Sequence, residues 1–151
     1  MGRGMPDARR LAGALHLLVL IALGGAACAP ADGPRPIVYD REACAHCRML
    51  ISEPRFAAQL ETREGEVLSF DDPGCLLAEL AKRAPPVREL WFHHLHEDRW
   101  LDAEQVAFAP TERTPMGYGL GAVDAGSPGA LPLAEAQARV AAADVRPEPR
   151  R

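Results

Sequence analysis

Residues 55–83 have the sequence RFAAQLETREGEVLSFDDPGCLLAELAKR, and this stretch contains the signals that decide the fold. Apolar and polar residues roughly alternate over 55–62 and again over 66–70, with turn residues between them, so the pattern predicts an antiparallel hairpin. Asp72 and Pro73 then begin a helix, because an aspartate side chain can accept free backbone amides and proline lacks one. Apolar residues continue at helical spacing to the end of the stretch.

A second hairpin and helix are predicted downstream. Residues 89–96 are strand-like and rich in aromatic side chains, and 99–101 can pair with them across a short turn. Asp102 then begins a short predicted helix over 103–107, and the alanine-rich residues 134–143 favour a closing helix. The predicted fold class is therefore α+β, a small single domain of two similar ββα-type halves with antiparallel hairpins.

The first 27 residues have the layout of a signal peptide. Basic residues precede an apolar run at 11–23, which is shorter than the roughly 20 apolar residues that a membrane-spanning helix needs. Small residues lead up to Cys28, as in bacterial lipoproteins, so Cys28 is the predicted lipidation site. The protein is therefore expected to be anchored on the periplasmic side of a bacterial membrane. The alternative is ordinary cleavage near Ala27, because Gly25 stands where lipoprotein signals usually have leucine.

Four segments follow from this layout. They are a signal peptide (1–27), a lipid-anchored flexible tether (28–36), a compact domain (37–143) and a disordered tail (144–151). Removing the signal peptide leaves a net charge of about −6, which argues against a nucleic-acid partner.

The clearest chemistry lies in the segment Cys44-Ala-His-Cys-Arg-Met49. Thiolate and thioether sulfurs are soft donors that favour Cu(I), so Cys44, Cys47 and Met49 are candidate metal ligands. His46, between the two thiols, is a further candidate. A Cys-x-x-Cys pair alone also fits half a zinc site, a redox dithiol or a local disulfide. Met49 favours copper, because a thioether binds Cu(I) without losing a proton.

A second unusual segment is Thr-Pro-Met-Gly-Tyr-Gly at 114–119. Glycines at alternate positions are rare in ordinary strands, because they cost backbone entropy and pack little. Met116 is either another sulfur ligand or a core residue of a glycine-rich turn. Gly117, Tyr118 and Gly119 are predicted to lie where a partner approaches.

The remaining candidates have less specific patterns. His93, His94 and His96 lie in one predicted strand, and alternation places His94 and His96 on the same face. Such a pair can chelate a metal, or it can form the polar face of a strand. Cys75 falls in the first turn of the predicted helix and is interpreted as a small buried apolar residue. No hydrolytic, P-loop or dinucleotide-binding motif is present, so no enzymatic activity is expected.

Together these segments resemble the NosL family, the bacterial nitrous-oxide reductase accessory lipoproteins. The resemblance covers roughly residues 38–125 and rests on the lipoprotein-like leader and four motifs: Cys44-x-x-Cys47-x-Met49, Phe70-Asp-Asp-Pro-Gly-Cys75, Trp100-Leu-Asp-Ala103 and Thr114-Pro-Met-Gly-Tyr-Gly119. It implies a Cu(I)-binding chaperone that supplies nitrous-oxide reductase with help from membrane maturation proteins. By motif position, Cys44, Cys47 and Met49 are the metal-site candidates, and Met116 matches the second methionine of the family.

One position departs from the family pattern. The family usually has glycine before the first methionine, and this chain has Arg48. If that position requires a positive φ, the arginine is strained. The resulting expectation is an exported copper metallochaperone, a monomer or weak dimer, that is not an enzyme. The alternative is a periplasmic thiol-disulfide protein that uses Cys44 and Cys47.

Overall fold

The structure is a computed structural model that describes residues 33–144. The predicted signal peptide, the lipidation site Cys28, the first part of the tether and the tail from residue 145 lie outside the described residues. Within them the strands are β1 (Ala58–Thr62), β2 (Val67–Phe70), β3 (Val87–His93), β4 (Trp100–Asp102), β5 (Val106–Pro110), β6 (Leu120–Asp124) and β7 (Leu131–Pro132), the helices are α1 (Pro73–Arg83) and α2 (Leu133–Asp144), and a 3₁₀ helix spans Pro54–Phe56.

The strands form two sheets. The larger has the order β2-β1-β3-β4 and the smaller the order β6-β5-β7, and every pair within them is antiparallel. The α+β class with antiparallel hairpins is therefore confirmed. The β1–β2 hairpin aligns Ala58 with Phe70, and Gly65 in its turn has a φ of +85°.

Helix α1 begins where the sequence predicts. Asp72 is its N-cap, and the Asp72 side chain accepts a hydrogen bond from the backbone N–H of Gly74 at 2.8 Å. Ala84 ends the helix in the left-handed region, with a φ of +43°. The first seven residues of α1 are buried, so the N-terminus of the helix lies inside the domain.

The short helix predicted over 103–107 is wrong. Asp102 Oδ1 accepts the backbone N–H groups of Glu104 and Gln105, both at 2.9 Å, and this closes a turn. The chain then continues as β5, because Val106 and Phe108 are buried and the strand pairs with β6. No helix follows the β3–β4 hairpin directly; α2 comes after β5, β6 and β7.

One hydrophobic core joins both sheets and both helices. The rings of Phe92 in β3 and Phe108 in β5 meet edge to face, with 5.1 Å between their centroids. Leu77 of α1 and Val140 of α2 belong to the same cluster. Aromatic pairs of this kind add about 1 kcal/mol beyond the buried area.

Arg35, two residues before the predicted domain boundary, is already bonded to the larger sheet. The Arg35 backbone exchanges two hydrogen bonds with the buried side chain of Gln59 in β1, at 2.8 and 2.9 Å. Neither helix within residues 33–144 is long and apolar enough to cross a membrane.

Candidate metal centre

The two cysteines of the Cys-x-x-Cys pair lie on a hairpin formed by residues 38–51. The backbone N–H of Asp40 donates to the carbonyl oxygen of Ile51 at 2.9 Å, and the ends of the hairpin are thereby joined. The backbone N–H of Ala45 donates to the carbonyl oxygen of Ser69 in β2, also at 2.9 Å. The hairpin is therefore fixed against the edge of the larger sheet.

The loop of this hairpin is tight. The backbone N–H of Cys44 donates to the carbonyl oxygen of Met49 at 2.8 Å, and that of Arg48 donates to the carbonyl oxygen of Cys44 at 3.1 Å. Arg48 has a φ of +69°, so this position does require a positive φ. A side chain in the left-handed region costs about 1 kcal/mol relative to glycine.

Three thiols meet beside this loop. The Sγ atoms of Cys44, Cys47 and Cys75 all lie within 4.8 Å of one another, and the group could hold a metal ion. All three cysteines are free; Cys44 and Cys75 are buried, while Cys47 is partly exposed. Cys75 is the third residue of α1, so its thiol enters the group from the buried end of the helix.

The interpretation of Cys75 as an apolar packing residue is therefore incomplete. Its burial is confirmed, but its thiol lies with the other two thiols rather than only among apolar side chains. The sequence held one relevant signal, the Asp72-Pro73 cap, which places Cys75 in the first turn of a helix. Nothing in the sequence showed that this turn faces the loop of Cys44 and Cys47.

The three thiols differ in their ionisation. The Cys75 thiol donates a hydrogen bond to Cys44, and this is the largest cause of a Cys44 pKa that is lowered from 9.0 to about 5. The backbone N–H groups of Asp71, Cys47 and His46 also lower this pKa, whereas burial opposes the shift. The same hydrogen bond raises the pKa of Cys75. Burial raises the pKa of Cys47. At neutral pH the group therefore holds one thiolate and two thiols.

His46 is joined to α1 by its ring. His46 Nδ1 lies 2.9 Å from Oε2 of Glu79, a buried residue whose other carboxylate oxygen contacts Arg83 at 3.0 Å. A carboxylate only accepts hydrogen bonds, so Nδ1 of the neutral imidazole carries the proton and Nε2 keeps its lone pair. Histidines that bind metals are commonly oriented in this way. His46 is not part of the three-thiol group, and its role as a ligand stays a prediction.

Both candidate methionines are exposed. The exposed fraction is 58% for Met49 and 40% for Met116, so neither is a core residue. Met49, Leu50 and Val38 are exposed large hydrophobic side chains on the thiol-bearing hairpin. Whether the thioethers bind a metal stays a prediction.

The segment that contains Met116 lies on the N-terminus of α1. The backbone N–H of Met116 donates to Asp72 Oδ2 at 3.0 Å. The ring of Tyr118 occupies the space beside Gly74, where a Cβ would lie 2.0 Å from the ring. Gly117 and Gly119 have φ values of +75° and +68°, which explains glycine at both positions. Their contact with a partner stays a prediction.

A second group of ligand-type atoms is formed by His94, Glu97 and Asp124, again within 4.8 Å of one another. His94 Nδ1 accepts the backbone N–H groups of His96 and Glu97 at 3.2 and 3.1 Å, so the neutral ring carries its proton on Nε2. Arg99 binds Glu97 at 2.6 Å and Asp124 at 2.7 Å. Nδ1 of the ring and both carboxylates are thus engaged by protein groups.

No family model and no curated protein matches the sequence. The crystal structure of the copper chaperone NosL from Shewanella denitrificans is similar to this chain, with a TM-score of 0.49 and 20% sequence identity. The match covers 71% of this chain and 85% of that chain.

Proposed function

We propose that this protein is an exported Cu(I)-binding metallochaperone that supplies copper for the maturation of nitrous-oxide reductase. The observation that carries the proposal is the convergence of Cys44, Cys47 and Cys75, whose sulfur atoms lie within 4.8 Å of one another. In this proposal the three thiols hold the ion, and Met49 and Met116 assist its entry and release.

The donor set favours Cu(I). Within the group every candidate ligand atom is a sulfur, and neither an imidazole nor a carboxylate is included. Soft sulfur donors suit Cu(I), and a structural zinc site normally has four protein ligands. The lowered pKa of Cys44 provides one thiolate, so a monovalent cation can be held without a net charge in a buried place.

The candidate sulfur ligands range from buried to exposed, and this suits a carrier rather than a permanent metal site. Cys44 and Cys75 are buried, Cys47 is partly exposed, and Met49 is 58% exposed. An incoming ligand can therefore displace the outer sulfur first, while the inner sulfurs still hold the ion. We expect transfer by ligand exchange, without catalytic turnover.

The recipient and the location are proposed from the sequence. The resemblance of the motifs around Cys44 and Thr114 to the NosL family suggests nitrous-oxide reductase and its membrane maturation proteins as partners. The leader and Cys28 suggest a lipid anchor on the periplasmic side of the membrane.

The binding step is tested by an anaerobic Cu(I) titration of the reduced protein against a competing chelator. We expect tight one-to-one binding that is weaker in Met49→Leu, which removes the thioether but keeps the size of the side chain. Leu50→Ala is the matched control, because Leu50 is a similarly exposed neighbour without sulfur. Absence of Cu(I) binding by the wild-type protein would rule out the proposed function.

The delivery step needs a separate test. Cu(I)-loaded protein is either mixed with copper-free nitrous-oxide reductase or separated from it by a dialysis membrane. We expect copper to reach the reductase faster in the mixed sample, because ligand exchange requires contact. Equal rates would mean that copper is only released into solution, and delivery to this recipient would be refuted.

Thiol-disulfide exchange is the second candidate, and the lowered pKa of Cys44 favours it. A thiolate is the nucleophile in such reactions. Cys44 is fully buried, however, and cannot meet a disulfide of another protein without movement of the loop. If exchange is the function, the protein reduces insulin disulfides, and Met49→Leu leaves that rate unchanged.

A further inference from the structure

The carboxylate of Asp72 joins two parts of the chain. Asp72 is fully buried. Its Oδ1 accepts the backbone N–H of Gly74 and so caps the helix that carries Cys75. Its Oδ2 accepts the backbone N–H of Met116, and its side chain also has a hydrogen bond with the side chain of Thr114.

The contacts around this carboxylate divide into a helix cap and a loop contact. A cap requires one oxygen, and N-caps usually use a single acceptor. The second oxygen accepts the backbone N–H of Met116, an exposed residue 44 positions further along the chain. The Met116 loop (114–119) is also internally bonded, since the Gly119 N–H donates to Thr114 Oγ1 at 3.3 Å. Asp72 is therefore a specific attachment point for a preformed loop.

We propose that Asp72 is a positioning residue of the metal site, which holds the Met116 loop against the helix that carries Cys75. The proposal rests on the proposed function for its copper-dependent part. Asp72 does not contact the ion; it acts through Met116 and determines how much of the time the thioether is available to the ion held by the thiols. A buried carboxylate suits this role, because its hydrogen bonds to N–H donors are strong and directional.

The substitution Asp72→Asn separates the two contacts. Asparagine is as good an N-cap as aspartate, so its carbonyl oxygen can keep the bond to Gly74. Its NH₂ group then faces the N–H of Met116, and two donors cannot bond to each other. Asp102→Asn is the matched control. Asp102 uses one oxygen to close the turn between β4 and β5, and its hydrogen bonds do not involve the Met116 loop.

The first experiment requires no copper. Amide hydrogen exchange is measured on the reduced full-length protein, resolved at residue 116. We expect exchange at Met116 to be about tenfold faster in Asp72→Asn, since the opened loop becomes the main state, and unchanged in Asp102→Asn. Thr114→Ala leaves the cap intact and is expected to give a smaller acceleration, which keeps the test available if Asp72→Asn does not fold. Unchanged exchange at Met116 in the folded variants would overturn the proposal.

The second experiment uses copper and a double-mutant cycle. Cu(I) affinity is compared in wild type, Asp72→Asn, Met116→Leu and the double variant. We expect Asp72→Asn to weaken binding about tenfold, because affinity falls with the fraction of protein in the competent state, and to have no further effect in the Met116→Leu background. Equal weakening in both backgrounds would reveal a general structural role and overturn the assignment.

The two experiments separate the two hypotheses. If the wild-type protein binds no Cu(I), the proposed function fails, and the copper-dependent role of Asp72 fails with it. The exchange rate at Met116 then still decides whether Asp72 holds the loop. If Cu(I) binds tightly but Met116→Leu binds as well as wild type, the carrier function stands and the role of Asp72 as a positioning residue is refuted.

Discussion

Among the described residues, two groups of metal-ligand atoms each lie close together, but they differ in what surrounds them. The thiols of Cys44, Cys47 and Cys75 and the group of His94, Glu97 and Asp124 each lie within 4.8 Å. The first group is mostly buried and bonded largely to itself and to backbone amides. In the second, Arg99 forms ion pairs with both carboxylates, and two backbone N–H groups donate hydrogen bonds to Nδ1 of the histidine.

The comparison teaches that proximity of donor atoms does not make a metal site. A ligand needs a free lone pair and a charge that the ion can balance. The thiol group has both, since the lowered pKa of Cys44 favours its thiolate and each of the three sulfurs carries lone pairs. In the histidine group a cation is already present in the form of Arg99, so that group serves to hold the loop that follows β3.

The largest expected effect is a loss of Cu(I) affinity when the thiol group itself is changed. Cys44→Ser removes the thiolate, and we expect Cu(I) affinity to fall on the order of a thousandfold, about 4 kcal/mol. His94→Gln should leave Cu(I) affinity unchanged, although it removes a donor from a group whose ligand atoms also lie within 4.8 Å of one another. Both are measured by competition with a chelator. A large loss in His94→Gln, or none in Cys44→Ser, would reverse the assignment of the two groups.

An intermediate effect concerns proton affinity. Cys75→Ala removes the largest cause of the lowered pKa of Cys44, so we expect this pKa to rise from about 5 toward its ordinary value of 9.0. Titration of the thiolate absorbance of the copper-free protein measures it, with Cys47→Ala as the control. A Cys44 that still ionises near pH 5 without Cys75 would show that backbone amides alone lower its pKa.

The same pKa shifts give the pH dependence of stability. The pKa of Cys44 is lower in the folded than in the unfolded chain, so its contribution is lost as the pH falls from about 9 toward 5. The pKa values of Cys47 and Cys75 are raised, so stability is also lost above their ordinary pKa of 9.0, where the unfolded chain ionises. We expect chemical denaturation of the reduced protein to show greatest stability near pH 8 to 9, within about one unit. A steady rise in stability through pH 10 would contradict the raised pKa values.

The smallest expected effect concerns backbone strain, which also distinguishes the two regions. Arg48 and Asp40 of the thiol-bearing hairpin have positive φ values, whereas between residues 93 and 124 positive φ occurs only at glycine. Arg48→Gly should therefore raise the free energy of unfolding by about 1 kcal/mol. Arg41→Gly is the control in the same hairpin and should lower it, because Arg41 has no positive φ. Equal effects of the two substitutions would mean that Arg48 is not strained.

The local patterns in the sequence were sufficient for the elements near residues 55–83 and for the α+β class. The cap at Asp72, the hairpin turn at Gly65 and the closing helix all depend on residues within a few positions of one another. The helix predicted over 103–107 failed because its start signal at Asp102 serves a turn equally well. Burial of Val106 and Phe108 in a sheet then decided the outcome.

The sequence by itself determined the soft-sulfur chemistry and the capped helix, since each is written in a short segment. That Arg48 has a positive φ was shown by the structure. Only the tertiary structure decided that Cys75 joins Cys44 and Cys47, that Glu79 sets the tautomer of His46, and that Asp72 holds Met116. The physical reason is that these contacts join residues from about 30 to more than 40 positions apart. Their formation depends on which faces of α1 and of the sheets are buried together, and this is a property of the whole core.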